Sequence, residues 1–170
     1  MASIIKANQL QDFGGNSIIT SDGAGNLTTM KTNYPAFYAQ MSANQSVSNN
    51  AATKLQVNNE IWDTNSAYDT SNYRFTVPVK GKYLYQASLR WNSLGDGDVF
   101  QIIIYKNGSA VNQSRFISTM GLAENAVVKT YLFDDSVVGD YYELYGLHVY
   151  GSSRDANYEY TNFGGYRIGS

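Results

Sequence analysis

Residues 68–91 carry the clearest structural pattern in the chain, and they read Tyr68-Asp69-Thr70-Ser71-Asn72-Tyr73-Arg74-Phe75-Thr76-Val77-Pro78-Val79-Lys80-Gly81-Lys82-Tyr83-Leu84-Tyr85-Gln86-Ala87-Ser88-Leu89-Arg90-Trp91. Strand side chains alternate between faces. The odd positions of the second half therefore share one apolar face, namely Tyr83, Tyr85, Ala87, Leu89 and Trp91. Pro78 cannot donate to a central ladder, and Gly81 suits a turn. The pattern predicts a short strand, a turn and a long strand that faces a core.

The same stretch resembles the signature of the complement C1q globular head family. That signature is a tyrosine and some polar residues, then Arg-Phe-Thr-Ala-Pro and Gly-x-Tyr. In this chain residues 74–78 match the first part, with Val77 in place of the usual alanine, and residues 81–83 match the Gly-x-Tyr part. Residues 35–39 resemble the family's first strand, and residues 160–168 resemble its last. Over residues 34–170 the resemblance implies an all-β, C1q/TNF-like jelly-roll sandwich of about ten antiparallel strands that assembles as a homotrimer.

Composition excludes several classes of protein. The 170 residues are 43% hydrophobic and 15% charged, with a net charge of −2, and the twelve Lys and Arg residues are scattered singly. These features favour one compact domain with a short extension and argue against nucleic-acid binding. The absence of cysteine excludes disulfides, thiolate metal sites and cysteine nucleophiles. No apolar run is long enough to cross a bilayer, and the first residues lack the apolar core of a signal peptide. We therefore expect synthesis in the host cytoplasm without an export signal, and no membrane insertion.

Strand signals recur about every ten residues after position 34, as in a sandwich or jelly roll. No segment has a sustained helical period. Asn107-Gly108 predicts a hairpin turn. The predicted strands are 36–42, 53–57, 73–77, 81–91, 99–106, 109–119, 126–133, 141–150 and 160–168.

Two of these strands, 99–106 and 141–150, carry apolar side chains on both faces. A sandwich strand with water on one side needs only one apolar face, so the second face requires a cover. A loop of the same chain would suffice, but a threefold axis shared with other copies is the interpretation we prefer. The predicted trimer-interface and core residues are Phe100, Ile102, Ile103, Ile104, Tyr105, Tyr142, Leu144, Tyr145, Leu147, Tyr150, Phe163 and Tyr166.

Residues 1–33 differ from the rest of the chain. Short strands are predicted near 3–10, 17–20 and 26–30, between turn clusters at 11–16 and 21–26. The segment has too few apolar side chains for a core of its own, so it is either a flexible tail or ordered by another chain. It resembles the N-terminal leaders of bacteriophage tail-fibre and other virion proteins. The predicted virion-anchor residues are Ile4, Ile5, Leu10, Phe13, Ile18, Ile19 and Leu27.

The search for chemistry yields no catalytic residue and no metal site. The single histidine, His148, lies in a two-sided apolar strand and is expected to be packed. Asp96 and Asp98 lie in an Asp-Gly-Asp sequence that is ordinary for a turn. Some C1q family members bind calcium, so calcium is the one ion that these two carboxylates leave open. We expect no cofactor. Outer loops at 92–98, 120–125 and 151–158 are candidate contacts for a host-surface glycan. The candidate ligand-binding residues are Asp96, Asp98, Arg154, Asn157 and Tyr158.

The function we expect is that of a non-enzymatic, homotrimeric bacteriophage virion protein. Its partners would be other copies of itself and other capsid or tail proteins. A capsid decoration or head fibre is slightly preferred over a tail-fibre tip that binds a host glycan. Two further alternatives are a secreted C1q-like lectin and a glycan-degrading enzyme that uses Asp96, Asp98 or Glu143.

Overall fold

The computed structural model describes residues 7–30, 34–119, 121 and 125–169, with backbone only for 27–30. The chain divides into two compact units, Met1–Asn33 and Tyr34–Ser170. We call them the leader and the head. The described residues include no helix long and apolar enough to span a membrane.

The leader is a three-stranded antiparallel meander in the order β1-β2-β3. Its strands are β1 (Gln9–Gln11), β2 (Ser17–Ser21) and β3 (Leu27–Met30). Two turns that begin at Asp12 and Asp22 connect them. The predicted residues Ile4 and Ile5 lie outside the described residues.

The head is a sandwich of two antiparallel sheets. Sheet I has the order β14-β10-β16-β4-β7, with β5 also paired to β16. Sheet II has the order β12-β11-β15-β9-β8, with β13 paired to β11 and β6 to β15. The strands are β4 (Ala36–Gln40), β5 (Gln45–Val47), β6 (Thr53–Lys54), β7 (Asn59–Asp63), β8 (Tyr68–Asp69), β9 (Arg74–Thr76), β10 (Gly81–Trp91), β11 (Val99–Lys106), β12 (Ser109–Ala110), β13 (Phe116–Thr119), β14 (Ala126–Ser136), β15 (Tyr141–Val149) and β16 (Arg154–Gly169).

The long strand β10 organises sheet I because it pairs along its whole length with β14 and over most of it with β16. Its odd positions, Tyr83 to Trp91, are all buried against sheet II, as the alternation predicts. Aromatic stacking joins the two sheets: the Phe37 and Phe75 ring centroids are 4.4 Å apart, and those of Tyr85 and Tyr142 are 3.9 Å apart.

The observed strands match the predicted ones best where the apolar pattern is long. β10 and β11 have the predicted bounds, whereas β14 and β16 are longer than predicted. The short strands β5, β7 and β8 were missed, because they are polar or interrupted and gain their order from neighbouring strands. Asn107 and Gly108 both have positive φ and form the predicted hairpin turn.

Gly165 in β16 leaves room for two buried rings of the neighbouring strands β10 and β4. A Cβ on Gly165 would lie 2.7 Å from Tyr85 Cδ1 and 3.1 Å from Phe37 Cε1. A Cβ on Gly169, in the same strand, would meet nothing within 4 Å.

We therefore expect Gly165→Ala to lower the free energy of unfolding by about 1–3 kcal/mol, since overpacking forces rings off their rotamers. Gly169→Ala is the matched control and should leave it within about 0.5 kcal/mol. Urea unfolding of both variants measures the difference. Equal stability of the two variants would contradict this account of the core.

A polar network closes one end of the sandwich. Lys106 Nζ lies 2.7 Å from Asp134 Oδ2 and 3.0 Å from Asp140 Oδ2. Tyr142 donates a hydrogen bond to Asp134, and burial together with this bond raises the pKa of Tyr142 to about 12. Burial disfavours the Lys106 cation, but its hydrogen bonds to both carboxylates outweigh this and raise its pKa.

The same network lowers the pKa of Asp140. Burial opposes the shift, but hydrogen bonds from Asn107 Nδ2 and the Val137 N–H, and the Lys106 cation, stabilise the carboxylate. A folded-state pKa below the ordinary 3.8 gives stability that is present above pH 3.8 and is lost as pH falls through the lower value.

We expect Asp140→Asn to flatten the fall in unfolding free energy below about pH 4, because the variant has no carboxylate to protonate there. Asp135→Asn, at an exposed carboxylate in the same region, should keep the wild-type slope. Urea unfolding at several pH values between 2 and 6 measures both slopes. An unchanged slope in Asp140→Asn would be the contrary result.

Candidate assembly surface

The outward side of sheet I is lined by aromatic side chains in register. Phe133, Leu84 and Tyr166 lie in one row across β14, β10 and β16. In the next row Tyr131 lies beside Gln86, and Tyr38 pairs with Trp62 beyond Gly164. These positions alternate with the buried ones, so they point away from sheet II.

Five large rings on this side of sheet I, and Phe116 of the adjacent β13 in sheet II, are between 44% and 66% exposed. We call them the aromatic surface: Trp62, Phe116, Tyr131, Phe133, Tyr160 and Tyr166. At about 150–250 Å² per side chain, half-exposed rings of this number present roughly 600 Å². The area of the six rings is at the upper end of the roughly 300–600 Å² that the largest apolar patch of a typical monomer covers. The exposed aliphatic neighbours Val127 and Ile168 add to it.

Local contacts hold several of these rings in place. A Cβ on Gly164 would lie 3.1 Å from Tyr38 Cδ2, so the absence of a side chain at Gly164 lets the Tyr38 ring lie close to the sheet. The Tyr38 ring stacks on Trp62 at 6.3 Å, and Tyr131 meets Phe133 edge to face at 6.0 Å. The rings are thus partly ordered before any contact with a partner.

A groove of about 700 Å³ crosses the aromatic surface. Tyr38, Phe116, Val127 and Tyr160 contribute apolar walls, and Lys129 and Asn162 are among its polar lining residues.

The charges on this side include one ion pair and an exposed lysine. Arg90 Nη1 lies 3.6 Å from Glu159 Oε2, and its guanidinium lies 4.8 Å from the Tyr160 ring centroid. A partner that covers the groove must also accommodate the Lys129 cation, because burying an unpaired charge is costly.

The predicted interface and core residues fall into four places. Six of them, Phe100, Ile102, Ile104, Tyr142, Leu144 and Phe163, are buried in the core of their own chain. Ile103, Tyr105, Tyr145 and Leu147 lie on the outward side of sheet II, where Tyr105 and Tyr145 stack at 3.7 Å. Tyr166 lies on the aromatic surface, and Tyr150 lies under Arg154.

The largest run of exposed rings therefore lies on sheet I and not on β11 and β15. The signal for it is present in the sequence of β14, where exposed Val127, Tyr131 and Phe133 alternate with buried Val128 and Leu132. This is the same two-sided pattern that drew attention to β11 and β15.

The candidate ligand loops do meet at one end of the head. Arg154 Nε donates to the Ser93 carbonyl at 2.8 Å, and its guanidinium lies 3.1 Å from the Tyr150 ring centroid. Asp96 and Tyr158 are exposed, whereas Asp98 accepts a hydrogen bond from the Gly95 N–H as part of a turn.

Asn157 is buried and accepts hydrogen bonds from the Glu159 N–H and the Thr161 hydroxyl, so it shapes the strand and does not face a ligand. The loop 120–125 lies largely outside the described residues. Among the described residues, no three acidic, histidine or cysteine side chains are placed to hold a metal ion.

Glu143 lies far from Asp96 and Asp98, the other carboxylates proposed for a glycan-degrading enzyme. Glu143 pairs with Tyr105 near one end of β11, and Asp98 directly precedes the other end. At about 3.3 Å per strand residue, Glu143 and Asp98 are roughly 20 Å apart. Retaining and inverting glycosidases hold their carboxyl groups about 5–10 Å apart. Glu143 is instead buried in an ion pair with Lys54, at 2.9 Å.

His148 is fully buried. Its Nε2 lies 3.0 Å from the Val47 carbonyl, and its ring meets Trp91 edge to face at 5.0 Å. It is a packed core residue, as the sequence predicts.

The predicted anchor residues with described side chains are in contact with water to different degrees. Phe13 is fully exposed at the tip of the first turn, and Leu10 and Ile18 are also exposed. Ile19 is half-buried, and Leu27 lies in β3, where only the backbone is described.

No protein-family model and no curated protein matches the chain. Its structure is similar to three solved structures that define a class of domain. The first is Eiger TNF from S. frugiperda, with 14% identity, a TM-score of 0.55, and coverage of 81% of this chain and 92% of that one.

The globular domain of zebrafish complement 1qA protein gives 16% identity, a TM-score of 0.53, and coverage of 79% and 97%. Murine APRIL gives 9% identity, a TM-score of 0.58, and coverage of 79% and 99%. The chain therefore contains a C1q/TNF-like jelly-roll domain, which confirms the fold expected from residues 68–91 and their flanks.

Proposed function

We propose that this chain is a non-catalytic protein that assembles as a homotrimer through the aromatic surface. The observation that carries the proposal is the run of five half-exposed rings on the outward side of sheet I, joined at the groove by Phe116 of the adjacent strand β13. Symmetric assembly is the ordinary way to bury such a surface.

The distribution of the rings favours a ring of copies over a twofold dimer. Phe133 lies on the edge strand β14 near Phe116 of β13, Trp62 lies on the opposite edge strand β7, and Tyr166 lies between them. An edge of one copy that packs on the sheet of the next makes a head-to-tail contact, and such contacts close as rings. The number three comes from the resemblance to the C1q family.

The role we propose for the trimer is that of a bacteriophage virion component, in which the leader attaches to the particle and the head projects. The support is the composition of the leader and its exposed Phe13 and Ile18, which offer apolar contacts to the particle. We prefer a capsid decoration or head fibre, because the chain has no long shaft between leader and head.

Host-glycan binding at a tail-fibre tip is the second candidate. It is favoured by the loop cluster in which Arg154 packs on Tyr150 and holds the Ser93 backbone. An arginine and a tyrosine fixed against each other offer stacking area and donors at low entropic cost.

We expect light scattering to give about 56 kDa for the full chain, three times its 18.8 kDa. Phe133→Asp and Tyr131→Asp should shift the mass towards 19 kDa, because each would leave an unpaired carboxylate in a buried contact. Val138→Asp changes an exposed residue in the β14–β15 turn and is the matched control that keeps the wild-type mass. Circular dichroism establishes that all variants are folded. A wild-type monomer, or a trimer that survives both substitutions, contradicts the proposal.

Particle attachment is tested with purified virions from which this protein is missing. Fluorescently labelled full chain should co-sediment with them, whereas a chain that begins at residue 34 should stay in the supernatant. Equal sedimentation of both chains, or of neither, would remove the support for a leader-mediated role.

A further inference from the structure

Among the described residues of the leader, Leu10 and Ile19 form an apolar pair across β1 and β2, and the exposed Ile18 lies at the bulge beside it. The backbone register pairs Leu10 with Ile19, and in the adjacent row Gln9 with Thr20. Neighbours in register share a face and successive residues alternate, so Leu10 and Ile19 lie on one side and Gln9 and Thr20 on the other. Leu10 is 55% exposed.

Two turns of the same construction hold this meander in shape. Asp12-Phe13-Gly14-Gly15-Asn16 and Asp22-Gly23-Ala24-Gly25-Asn26 are ten residues apart. In each turn the aspartate N–H donates to the asparagine carbonyl, at 2.9 and 3.1 Å.

The aspartate carboxylates also accept hydrogen bonds from both nitrogens of the asparagines. The bonds from the asparagine backbone N–H to the aspartate Oδ1 are 2.9 and 3.2 Å long. The bonds from the asparagine side-chain Nδ2 to the aspartate Oδ2 are 3.0 and 2.7 Å long. The repeat fixes the strand register and therefore the side on which Leu10 and Ile19 lie.

The strands of the leader are suited to contact with other neutral strands. Their residues are Gln-Leu-Gln, Ser-Ile-Ile-Thr-Ser and Leu-Thr-Thr-Met, and none of them is charged. The aspartates Asp12 and Asp22 lie in the turns, beyond the strand ends. Packing of this face therefore requires no charge to be desolvated.

We propose that the three leaders of one trimer pack their Leu10–Ile19 sides against one another. The inference rests on the proposed homotrimer, because that assembly supplies the partners. Only residues 31–35 separate β3 from β4, and a chain of that length spans at most about 20 Å. Three leaders tethered so closely have an effective concentration on the order of millimolar, which allows a small apolar contact to form.

Cysteine cross-linking tests the proposal, since the chain has no cysteine of its own. Leu10→Cys and Ile19→Cys place thiols on the apolar side, and Gln9→Cys places one on the opposite side of β1. With copper-phenanthroline at low micromolar protein, the first two should form covalent dimers that involve about two of every three chains. The yield should be unchanged by tenfold dilution, and Gln9→Cys should remain monomeric on a denaturing gel.

The masses of the three variants before oxidation separate the two proposals. A mass of about 56 kDa shows that the trimer is intact. If at that mass Leu10→Cys and Ile19→Cys form no cross-link, or Gln9→Cys cross-links equally well, the leader contact is overturned and the trimeric head is not. About 19 kDa shows that the trimer itself has failed, and the leader contact fails with it. Side-specific cross-linking within a 56 kDa species supports both.

Discussion

The structure depends on one imbalance: sheet I has apolar side chains on both of its sides, and a two-layer sandwich can cover only one. The inner side of β10 meets sheet II with five residues, from Tyr83 to Trp91, all of them buried. On the outer side, Tyr131, Phe133 and Tyr166 project from β14 and β16 into solvent. A single copy leaves the outer side of sheet I open to water, and self-association is the explanation that we propose for its exposed rings.

The size of the exposed surface limits what that association can be. Burial at about 25 cal/mol per Å² makes roughly 600 Å² worth about 15 kcal/mol before costs, while association costs about 4–15 kcal/mol. The surface therefore supports a stable assembly only if the rings pack closely. The ordered pairs Tyr38–Trp62 and Tyr131–Phe133 reduce the entropy that must be lost on contact.

How much the sequence predicts differs from element to element. The C1q-like signature and the alternation in residues 81–91 predicted the jelly roll and the bounds of β10, because a long alternating strand depends mainly on its own residues. The predicted interface and core residues include Tyr166 but not the other exposed rings of sheet I. The second apolar faces of β11 and β15 are mostly buried or half-buried within the chain, whereas that of β14 is exposed. Sequence alone gives two apolar faces but does not say which face meets the other sheet. Asn157 remains a predicted ligand residue, but it is buried and accepts hydrogen bonds from the Glu159 N–H and the Thr161 hydroxyl, contacts that the sequence does not reveal.

The protein has two tryptophans, and they report on opposite sides of sheet I. Trp91 is fully buried in the core, whereas Trp62 is 48% exposed on the aromatic surface of a single copy. Acrylamide quenching of tryptophan fluorescence therefore measures whether that surface is covered in solution. The account predicts weak quenching in the wild-type protein that is unchanged in Trp62→Phe. Strong quenching in the wild type that disappears in Trp62→Phe would show that the surface is open to water, which contradicts assembly through it.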